Sequence, residues 1–580
     1  MNAPSTIRLD TQHRPLFRGP EPSTGAPQLG QRQFRLMVVM LLFMLVTLLI
    51  ALRLLQFAVF GNGDEGRAAA ATQARADIVD RNGVPLATTI RAWSIAINPQ
   101  AVLGDKRVLA AQLADLIPEK SEADYLRILF DKKKKFVYLK EEAVPELVAR
   151  VHALGEPAIM ELRVPERLFP QAALAGHLLG YSQMVADAKG KEELTGIGVE
   201  RYFDKQLSEG KSVQLSVDTR VQAALESEIA RRIAETSAAG GAGVIMDVTN
   251  GEVMALASLP DINPNAHAHY SNGDMANKVT QSAFELGSTF KMLTFANAIE
   301  SGVITDWAKR WDITHEIHIG GHTIHDDEPM HRSVTTPEIM TYSSNIGTSQ
   351  IAQLLGKQRV QDFFRKFGLF ERTSIELRER GAPIVPRDWG DSTVMTTAFG
   401  HGLAVTPLHL AKAYAALVNG GVLHPATLLK HQDGKPIEGK RVIAEATSAR
   451  MRQLMRLVVL QGTGTNADAA GLRVGGKTGT AEKVVNGRYA KNANITTFAG
   501  AFPMDAPRYV IVVIMDDAKA TKETYGFRTA GWMAAPLAKR VIKRVGPLLG
   551  VRPDLSHDID VSDLMPLILE PKAPGKNAIE

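Results

Sequence analysis

The chain has 580 residues, of which 45% are hydrophobic and 22% are charged, so two or three globular domains with sizeable cores are expected. A formal net charge of only +5, together with 6% aromatic residues, argues against a nucleic-acid-binding protein. Cysteine is absent, which excludes disulfides, thiolate metal sites and a cysteine nucleophile.

The N-terminal region divides into a polar tail and an apolar stretch. Residues 1–35 are rich in Pro, Gly and Gln and are expected to be disordered in the cytoplasm. Residues 36–60 carry no charge except Arg53 and predict a transmembrane helix. Arg32 and Arg35 precede this span, so the positive-inside rule places the N-terminus in the cytoplasm and the rest of the chain outside. A cleaved signal peptide is the alternative, but the apolar run is too long and begins too late for one.

The region after the span, residues 62–235, mixes alternating and helical segments without a dense cluster of reactive side chains. In RADIVDRNGVPLATT, two strands joined by a turn at Asn82-Gly83 are expected. Residues 105–155 are expected to be mostly helical. The whole region is therefore predicted to be a separate domain without catalytic residues.

Residues 236–545 show a different pattern. Strands such as GAGVIMDV and EVMALAS alternate with long apolar helices, and the strand pair TTFAGAFP and YVIVVIMDD is followed by a final helix. This order predicts an α+β domain with an antiparallel sheet flanked by helices. The remaining residues, 546–580, are rich in Pro and Asp and are expected to form a mobile tail.

Three short motifs lie in the second region, and the first is Ser288-Thr289-Phe290-Lys291 at the start of an apolar helix. The spacing of three places the Ser288 hydroxyl and the Lys291 amine on one helical face. A serine hydroxyl needs a nearby base to act as a nucleophile, and a lysine can be that base once burial lowers its pKa. Alone, this motif is a common chance match.

The second motif is Ser343-Ser344-Asn345, on a polar turn before a helical run. Its hydroxyl and amide groups could relay a proton and hold an amide substrate. Ser and Asn are also ordinary helix N-caps, and the capping interpretation wins when this motif is taken by itself.

The third motif is Lys477-Thr478-Gly479-Thr480, in which glycine allows a substrate to approach an edge strand closely. The lysine and the two threonine hydroxyls could bind a carboxylate. The competing interpretation is a Walker A phosphate loop, because Gly471 and Gly476 also stand at its defining positions. No Walker B context is found in the chain, and this alternative is not favoured.

The three motifs occur in the order S-x-x-K, S-x-N, K-T-G, which is the set described for penicillin-binding proteins and their β-lactamase relatives. Further segments, among them RADIVDRNG, GHLLGYS, GIGVERYFD, FGHGLAVTPLHLAKAYAALVNGG and VVLQGTGTNA, also match. In these segments the exported chain resembles class B penicillin-binding proteins, and especially the cell-division (FtsI) type. The elongation-specific type is the near alternative. Leu286 departs from the proline that many members carry before the glycine.

This resemblance implies roles for the motif residues. Ser288 would attack the penultimate D-Ala carbonyl of a peptidoglycan stem, and Lys291 would take its proton. Ser343 and Asn345 would complete the proton relay and position the substrate. The set Lys477, Thr478, Gly479 and Thr480 would bind the terminal carboxylate, and the backbone N–H groups of Ser288 and Thr480 would form the oxyanion hole.

The resemblance also implies a β-lactamase-like transpeptidase domain, preceded by an elongated pedestal of the class B dimerisation type. It implies inhibition by β-lactams, a periplasmic catalytic domain on the inner membrane, and divisome partners such as FtsW. No glycosyltransferase signature is visible, so a partner would polymerise the glycan. The mechanism requires no metal or cofactor.

Five histidines, His315, His318, His322, His325 and His331, suggest a zinc site at first sight. Their segment alternates polar and apolar residues around Gly320-Gly321, which is the pattern of a β-hairpin. On such a hairpin His318 and His322 would lie on an exposed face, so a metal site is not predicted.

Two other classes of function remain to be separated. A carboxypeptidase or a β-lactamase would use the same three motifs but release the acyl-enzyme to water. A β-lactam sensor would need a cytoplasmic signalling part. An inactive scaffold would have no reason to keep all three motifs. The pedestal and the anchor argue against a β-lactamase.

Overall fold

The computed structural model describes residues 31–60, 74–186, 192–485 and 487–569. The chain divides into two compact units, Met1–Thr72 and Gln73–Glu580. The first contains helix α1 (Gln31–Phe60), in which Phe34–Arg53 has a mean hydropathy of 2.7, so α1 is long and apolar enough to cross a membrane.

Helix α1 begins before the expected start at residue 36, so the predicted disordered tail is wrong for residues 31–35. Once a helix is nucleated, each added residue gains a hydrogen bond, and the polar residues that precede the apolar run continue its helix. The rest of the predicted tail lies outside the described residues.

The second unit begins with a mixed domain built around one long strand. Its helices are α2 (Lys106–Leu116), α3 (Glu122–Leu129), α4 (Pro145–His152), α5 (Gly176–Leu179), α6 (Gly198–Tyr202) and α7 (Asp204–Ser208). Its strands are β1 (Ile78–Val79), β2 (Pro85–Ile97), β3 (Val137–Ala143), β4 (Ile159–Leu168), β5 (Tyr181–Ala186), β6 (Glu192–Ile197) and β7 (Val213–Gln214). Strand β2 pairs with β1, β3 and β4, and β1 also pairs with β7.

The predicted turn at Asn82-Gly83 joins β1 to β2, which are antiparallel, and Gly83 has the positive φ of +84° that the turn requires. The prediction that residues 105–155 are mostly helical missed β3. Its segment VYLKEEA is rich in β-formers at its start and pairs with β2, so tertiary pairing decides its structure.

The remainder of the second unit forms an α+β domain. Its helices are α8 (Thr219–Thr236), α9 (Lys291–Glu300), α10 (Thr336–Thr341), α11 (Asn345–Lys366), α12 (Asp391–Ala398), α13 (Pro407–Val418), α14 (Glu445–Gln461) and α15 (Ala534–Leu548). Its strands are β8 (Gly240–Asp247), β9 (Val253–Leu259), β10 (Arg310–Trp311), β11 (Ile317–Ile319), β12 (His322–Ile324), β13 (Val334–Thr335), β14 (Val422–Leu423), β15 (Lys440–Arg441), β16 (Gly475–Val485), β17 (Arg488–Phe502) and β18 (Tyr509–Asp516).

The main sheet of this domain has five strands in the order β16-β17-β18-β8-β9, and all of its neighbours are antiparallel. The predicted strand pair is present as β17 and β18, and the predicted strands GAGVIMDV and EVMALAS are β8 and β9, which pair with each other. The expected α+β class with an antiparallel sheet is confirmed, and β16 stands at one edge of that sheet.

Helices cover both faces of the sheet. Successive side chains of a strand point to opposite faces, so neighbouring residues of one strand pack against different helical layers. Along β18, Val510 and Val512 join the hydrophobic core that contains α9, α13 and α14. Ile511 and Val513 join a second core with α8 and α15. The sheet is therefore the middle layer between two helical layers, which explains its continuous apolar sequence.

The expectation of a mobile C-terminal tail is wrong for residues 546–569. Leu564 and Ile568 are buried in the core, and the Arg456 guanidinium binds the Asp558 carboxylate. The acidic residues that suggested mobility are thus partners of basic residues on α14, which the local sequence does not reveal. Residues 570–580 lie outside the described part.

Candidate active site

The first motif forms the junction of two helical segments. Gly287–Phe290 is one turn of 3-10 helix, and α9 continues from Lys291. In a 3-10 helix, side chains three residues apart are eclipsed, so Ser288 and Lys291 lie on the same side. Ser288 is half-buried and Lys291 is fully buried. Residues 291–298 of α9 are all buried, so Lys291 stands at the start of a helix that crosses the core.

Two glycines outside the turn fix the position of Ser288. A Cβ on Gly479 would lie 2.2 Å from the carbonyl oxygen of Leu286, and a Cβ on Gly400 would lie 2.1 Å from that of Gly287. Both distances are shorter than any real contact. The backbone next to Ser288 is therefore held between the edge strand β16 and the loop that contains Gly400.

The second motif occupies the turn between α10 and α11. Ser344 is the N-cap of α11, and its hydroxyl oxygen accepts the N–H of Gly347. Ser343, immediately before it, has a φ of +62°, a left-handed conformation that is uncommon for a residue with a side chain. Such strained residues cluster at functional sites, where the surrounding contacts hold them.

A carboxylate outside the motif holds this turn. Asp326 is buried and accepts the backbone N–H groups of Asn345 and Ile346, at 2.5 and 3.0 Å, and the hydroxyl of Ser344, at 2.7 Å. These are donors at the N-terminus of α11, where a negative charge is favourable. The Asn345 side chain donates to the carbonyl oxygen of His325, 3.0 Å away. The turn is thus bound to the segment that precedes β13.

The third motif lies in the edge strand β16. Residues Gly475–Val485 are extended and pair with β17, with Lys477 opposite Ala499 and Thr480 opposite Thr496. A Walker A sequence needs a loop that leads directly into a helix. The extended conformation therefore excludes the phosphate-loop alternative.

The three motifs meet at the hydroxyl of Ser343. Lys291 Nζ donates to Ser343 Oγ at 3.1 Å and also to the Ser343 carbonyl oxygen. Lys477 Nζ donates to the same Oγ at 2.9 Å. One hydroxyl therefore joins two lysine side chains that lie 186 positions apart in the chain (477 minus 291).

Burial dominates the electrostatics of both lysines. It lowers the pKa of Lys291 to about 7, against the opposing charges of Asp326 and Asp327. Burial also lowers the pKa of Lys477 well below its ordinary value, and the charge of Lys291 adds to that effect. A substantial fraction of Lys291 is therefore the neutral amine at pH 7 and can accept a proton.

The threonines of the third motif have specific partners as well. Thr478 Oγ1 lies 2.7 Å from the hydroxyl of Thr463, and Lys477 Nζ lies 3.3 Å from that same hydroxyl. Thr480 Oγ1 accepts the backbone N–H of Ala530 at 3.0 Å. Both motif threonines thus form part of a polar network beside the Ser288 turn.

The structure brings the three motifs together through the contacts of Lys291 and Lys477 with Ser343 and through the close approach of Gly479 to Leu286. Three residues were missed: Asp326, Gly400 and Thr463. The segments FGHGLAVTP and VVLQGTGTNA, which contain Gly400 and Thr463, were noted as matching segments without any role being assigned. Asp326 stands next to the histidine cluster and gave no separate signal.

The histidine segment forms the predicted hairpin. Strands β11 and β12 are antiparallel with Ile319 opposite His322, and Gly320 and Gly321 both have positive φ, as a two-residue hairpin turn requires. His318 and His322 are exposed, as expected.

Comparison with known families gives the same division of the chain. Residues 241–543 match the penicillin-binding protein transpeptidase domain, and residues 70–238 match the penicillin-binding protein dimerisation domain. The chain is a class B penicillin-binding protein.

Three relatives of this class B protein illustrate the range of the family. It is 37% identical to a probable peptidoglycan D,D-transpeptidase FtsI of Caulobacter vibrioides, over 83% of this chain and 82% of the relative. It is 30% identical to the peptidoglycan D,D-transpeptidase FtsI of Escherichia coli, over 83% and 84%. It is also 30% identical to the stage V sporulation protein D of Bacillus subtilis, over 83% and 79%.

Among solved structures, penicillin-binding protein 3 of Mycobacterium tuberculosis in complex with aztreonam is similar, with a TM-score of 0.63 and 25% identity. The alignment covers 83% of this chain and 97% of that protein. The likeness therefore extends over both domains of the second unit.

The close approach at Gly400 generates a prediction. In Gly400→Ala the new methyl group would collide with the Gly287 carbonyl and displace the Ser288 turn, so acylation by benzylpenicillin should slow at least about tenfold. Gly390→Ala is the matched control, because no atom lies within 4 Å of its Cβ position and its φ is −77°. Stopped-flow acylation rates of both variants check the prediction, and equal rates would contradict it.

Proposed function

We propose that this protein is a serine peptidoglycan D,D-transpeptidase that cross-links peptide stems during septum formation. The observation that carries the proposal is the shared hydroxyl of Ser343, which joins Lys291 and Lys477 beside Ser288. The FtsI proteins of two Gram-negative bacteria, named as D,D-transpeptidases, support it.

Acylation begins with proton transfer from Ser288 Oγ to the neutral amine of Lys291. The Ser288 oxygen attacks the penultimate D-Ala carbonyl of the donor stem, and the backbone N–H groups of Ser288 and Thr480 bind the developing oxyanion. Because Lys291 is buried and its pKa is about 7, it can take this proton at neutral pH without a metal or cofactor.

Departure of D-Ala requires a proton on its nitrogen. Both lysines donate to Ser343 Oγ, so the hydroxyl proton of Ser343 is left to donate into the site. Ser343 passes its proton to the leaving nitrogen and is reprotonated by Lys291. The amine of a neighbouring stem then attacks the acyl-enzyme carbonyl, the new amide bond replaces the ester bond to Ser288 Oγ, and the proton that the amine loses passes through Lys291 to Ser288 Oγ.

The terminal carboxylate of the donor binds along β16. Lys477, Thr478 and Thr480 supply its donors, and Gly479 allows the close approach of strand and serine turn. The Asn345 side chain positions the stem beside the turn. One of its two amide N–H groups donates to the backbone carbonyl oxygen of His325. A β-lactam carries an equivalent carboxylate and acylates the same serine.

Anchoring in the membrane is part of the proposal. Helix α1 is long and apolar enough to span a bilayer, and Arg32 and Arg35 precede the apolar run. We place the N-terminus in the cytoplasm, α1 in the inner membrane and the domains in the periplasm. A polymerase partner such as FtsW would supply the glycan strands.

The nucleophile assignment is tested by covalent labelling. The full-length protein in detergent should be labelled by fluorescent penicillin on the peptide that contains Ser288, and Ser288→Ala should lose all labelling. Ser301→Ala, at the other end of α9, is the control and should label normally, since its hydroxyl only caps the Asn297 carbonyl. Labelled Ser288→Ala protein would overturn the assignment.

The lowered pKa of Lys291 predicts a pH profile. Below pH 7 the amine is protonated and cannot act as the base, so the acylation rate should fall about tenfold per pH unit well below the inflection near pH 7 and level off above about pH 8. His401→Asn is the control, because His401 follows Gly400, which packs on the Ser288 turn, and its Nδ1 lies 3.3 Å from the Glu285 carboxylate. An inflection that disappears in His401→Asn would assign it to the imidazole instead.

The septal assignment predicts where the protein acts in the cell. A fluorescently tagged copy should concentrate at the division site, and its depletion should give filamentous cells with intact side walls. Even distribution along the lateral wall, with loss of rod shape on depletion, would favour the elongation-specific alternative. Fluorescence microscopy distinguishes the two results.

A further inference from the structure

The hydroxyl of Thr463 bridges two neighbouring residues of β16, the buried Lys477 and Thr478. Lys477 Nζ lies 3.3 Å from Thr463 Oγ1, and Thr463 Oγ1 lies 2.7 Å from Thr478 Oγ1. Thr463 belongs to none of the three motifs, and its half-buried side chain comes from the loop that follows α14.

Lys477 Nζ also donates to Thr478 Oγ1 at 3.4 Å, so both threonine oxygens accept from the same amine. Either hydroxyl can then be the donor in the contact between them. In the arrangement in which Thr463 donates to Thr478, the Thr478 O–H is directed away from Thr463 and can donate to a ligand.

The backbone around Thr463 is held against the turn of the second motif. Its N–H donates to the Thr341 carbonyl at 3.3 Å. A Cβ on Gly462 would lie 2.3 Å from that same carbonyl oxygen, so the loop packs directly on the end of α10. Farther along, Asn466 Nδ2 donates to Gly531 O at 2.9 Å, next to Ala530, whose N–H binds Thr480 Oγ1.

We propose that Thr463 is a positioning residue that orients the Thr478 hydroxyl as a donor to the substrate's terminal carboxylate. Thr463 does not touch the substrate in this assignment. It acts by accepting from Lys477 and donating to Thr478, so that the proton of Thr478 points to the anion. The inference rests on the proposed function, because the ligand is the carboxylate of the donor stem or of a β-lactam.

A pair of probes isolates this role. Benzylpenicillin carries the carboxylate, whereas its methyl ester presents no anion to Thr478. Thr463→Val has nearly the same shape as threonine but no hydroxyl, and Thr463→Ser keeps the hydroxyl. Second-order acylation rates are measured with both probes on the full-length protein in detergent, and the thermal unfolding temperature reports on folding.

The expected result is a selective loss. Thr463→Val should be acylated by benzylpenicillin about 10- to 100-fold more slowly, as for a lost hydrogen bond to a charged group, and by the methyl ester at a rate within about threefold of wild type. Thr463→Ser should stay within about threefold of wild type with both probes. The ratio of the two rates is the readout, since a packing defect would slow both probes alike.

Two results would overturn the proposal. Equal slowing of both probes would make Thr463 a packing residue, and an unchanged benzylpenicillin rate would show that Thr478 needs no orientation. If Thr463→Val does not fold, Thr463→Ala is measured with and without Thr478→Val, and a selective loss of the benzylpenicillin rate from Thr463→Ala that persists without the Thr478 hydroxyl would overturn the proposal. Wild-type protein that no penicillin acylates would instead refute the proposed function.

Discussion

The organisation of the site depends on two lysine amines that share one serine hydroxyl inside the protein. Two ammonium ions cannot both stay charged at hydrogen-bonding distance from the same buried atom without a large cost, and burial lowers the pKa of Lys291 and Lys477. At a pKa of about 7, part of Lys291 is the neutral amine at neutral pH. Neither lysine needs a metal or a histidine to become reactive.

The fold holds this unfavourable arrangement by rigid surroundings. The sheet lies between two helical layers, the α9 junction is buried in one of the two cores, and β16 is held by its pairing with β17. Asp326 holds the Ser343 turn in its left-handed conformation by accepting three hydrogen bonds. Stability spent on buried charge and on a strained turn is the usual cost of a preorganised site. The C-terminal residues 546–569 also stabilise α14, because Asp558 binds the Arg456 guanidinium.

The second motif shows where local and functional interpretations divide. The sequence Ser343-Ser344-Asn345 is typical of a helix N-cap, and Ser344 is the N-cap of α11. Ser343, one residue earlier, points to the lysines because its φ is positive. The capping serine and the serine that contacts the lysines are thus adjacent, and the helix-capping preference of serine does not distinguish one from the other.

The sequence by itself determined the fold class, the strand pairs, the apolar N-terminal helix and the three motifs, because each is a short-range pattern of periodicity or spacing. Only the tertiary structure decided that Lys291 and Lys477 meet at Ser343, that Thr463 and Asp326 join them, and that residues 546–569 pack on α14. Those contacts join residues far apart in the chain. Hydrogen bonds and ion pairs between distant side chains depend on which segments the fold places together, and they leave no periodic pattern in the local sequence.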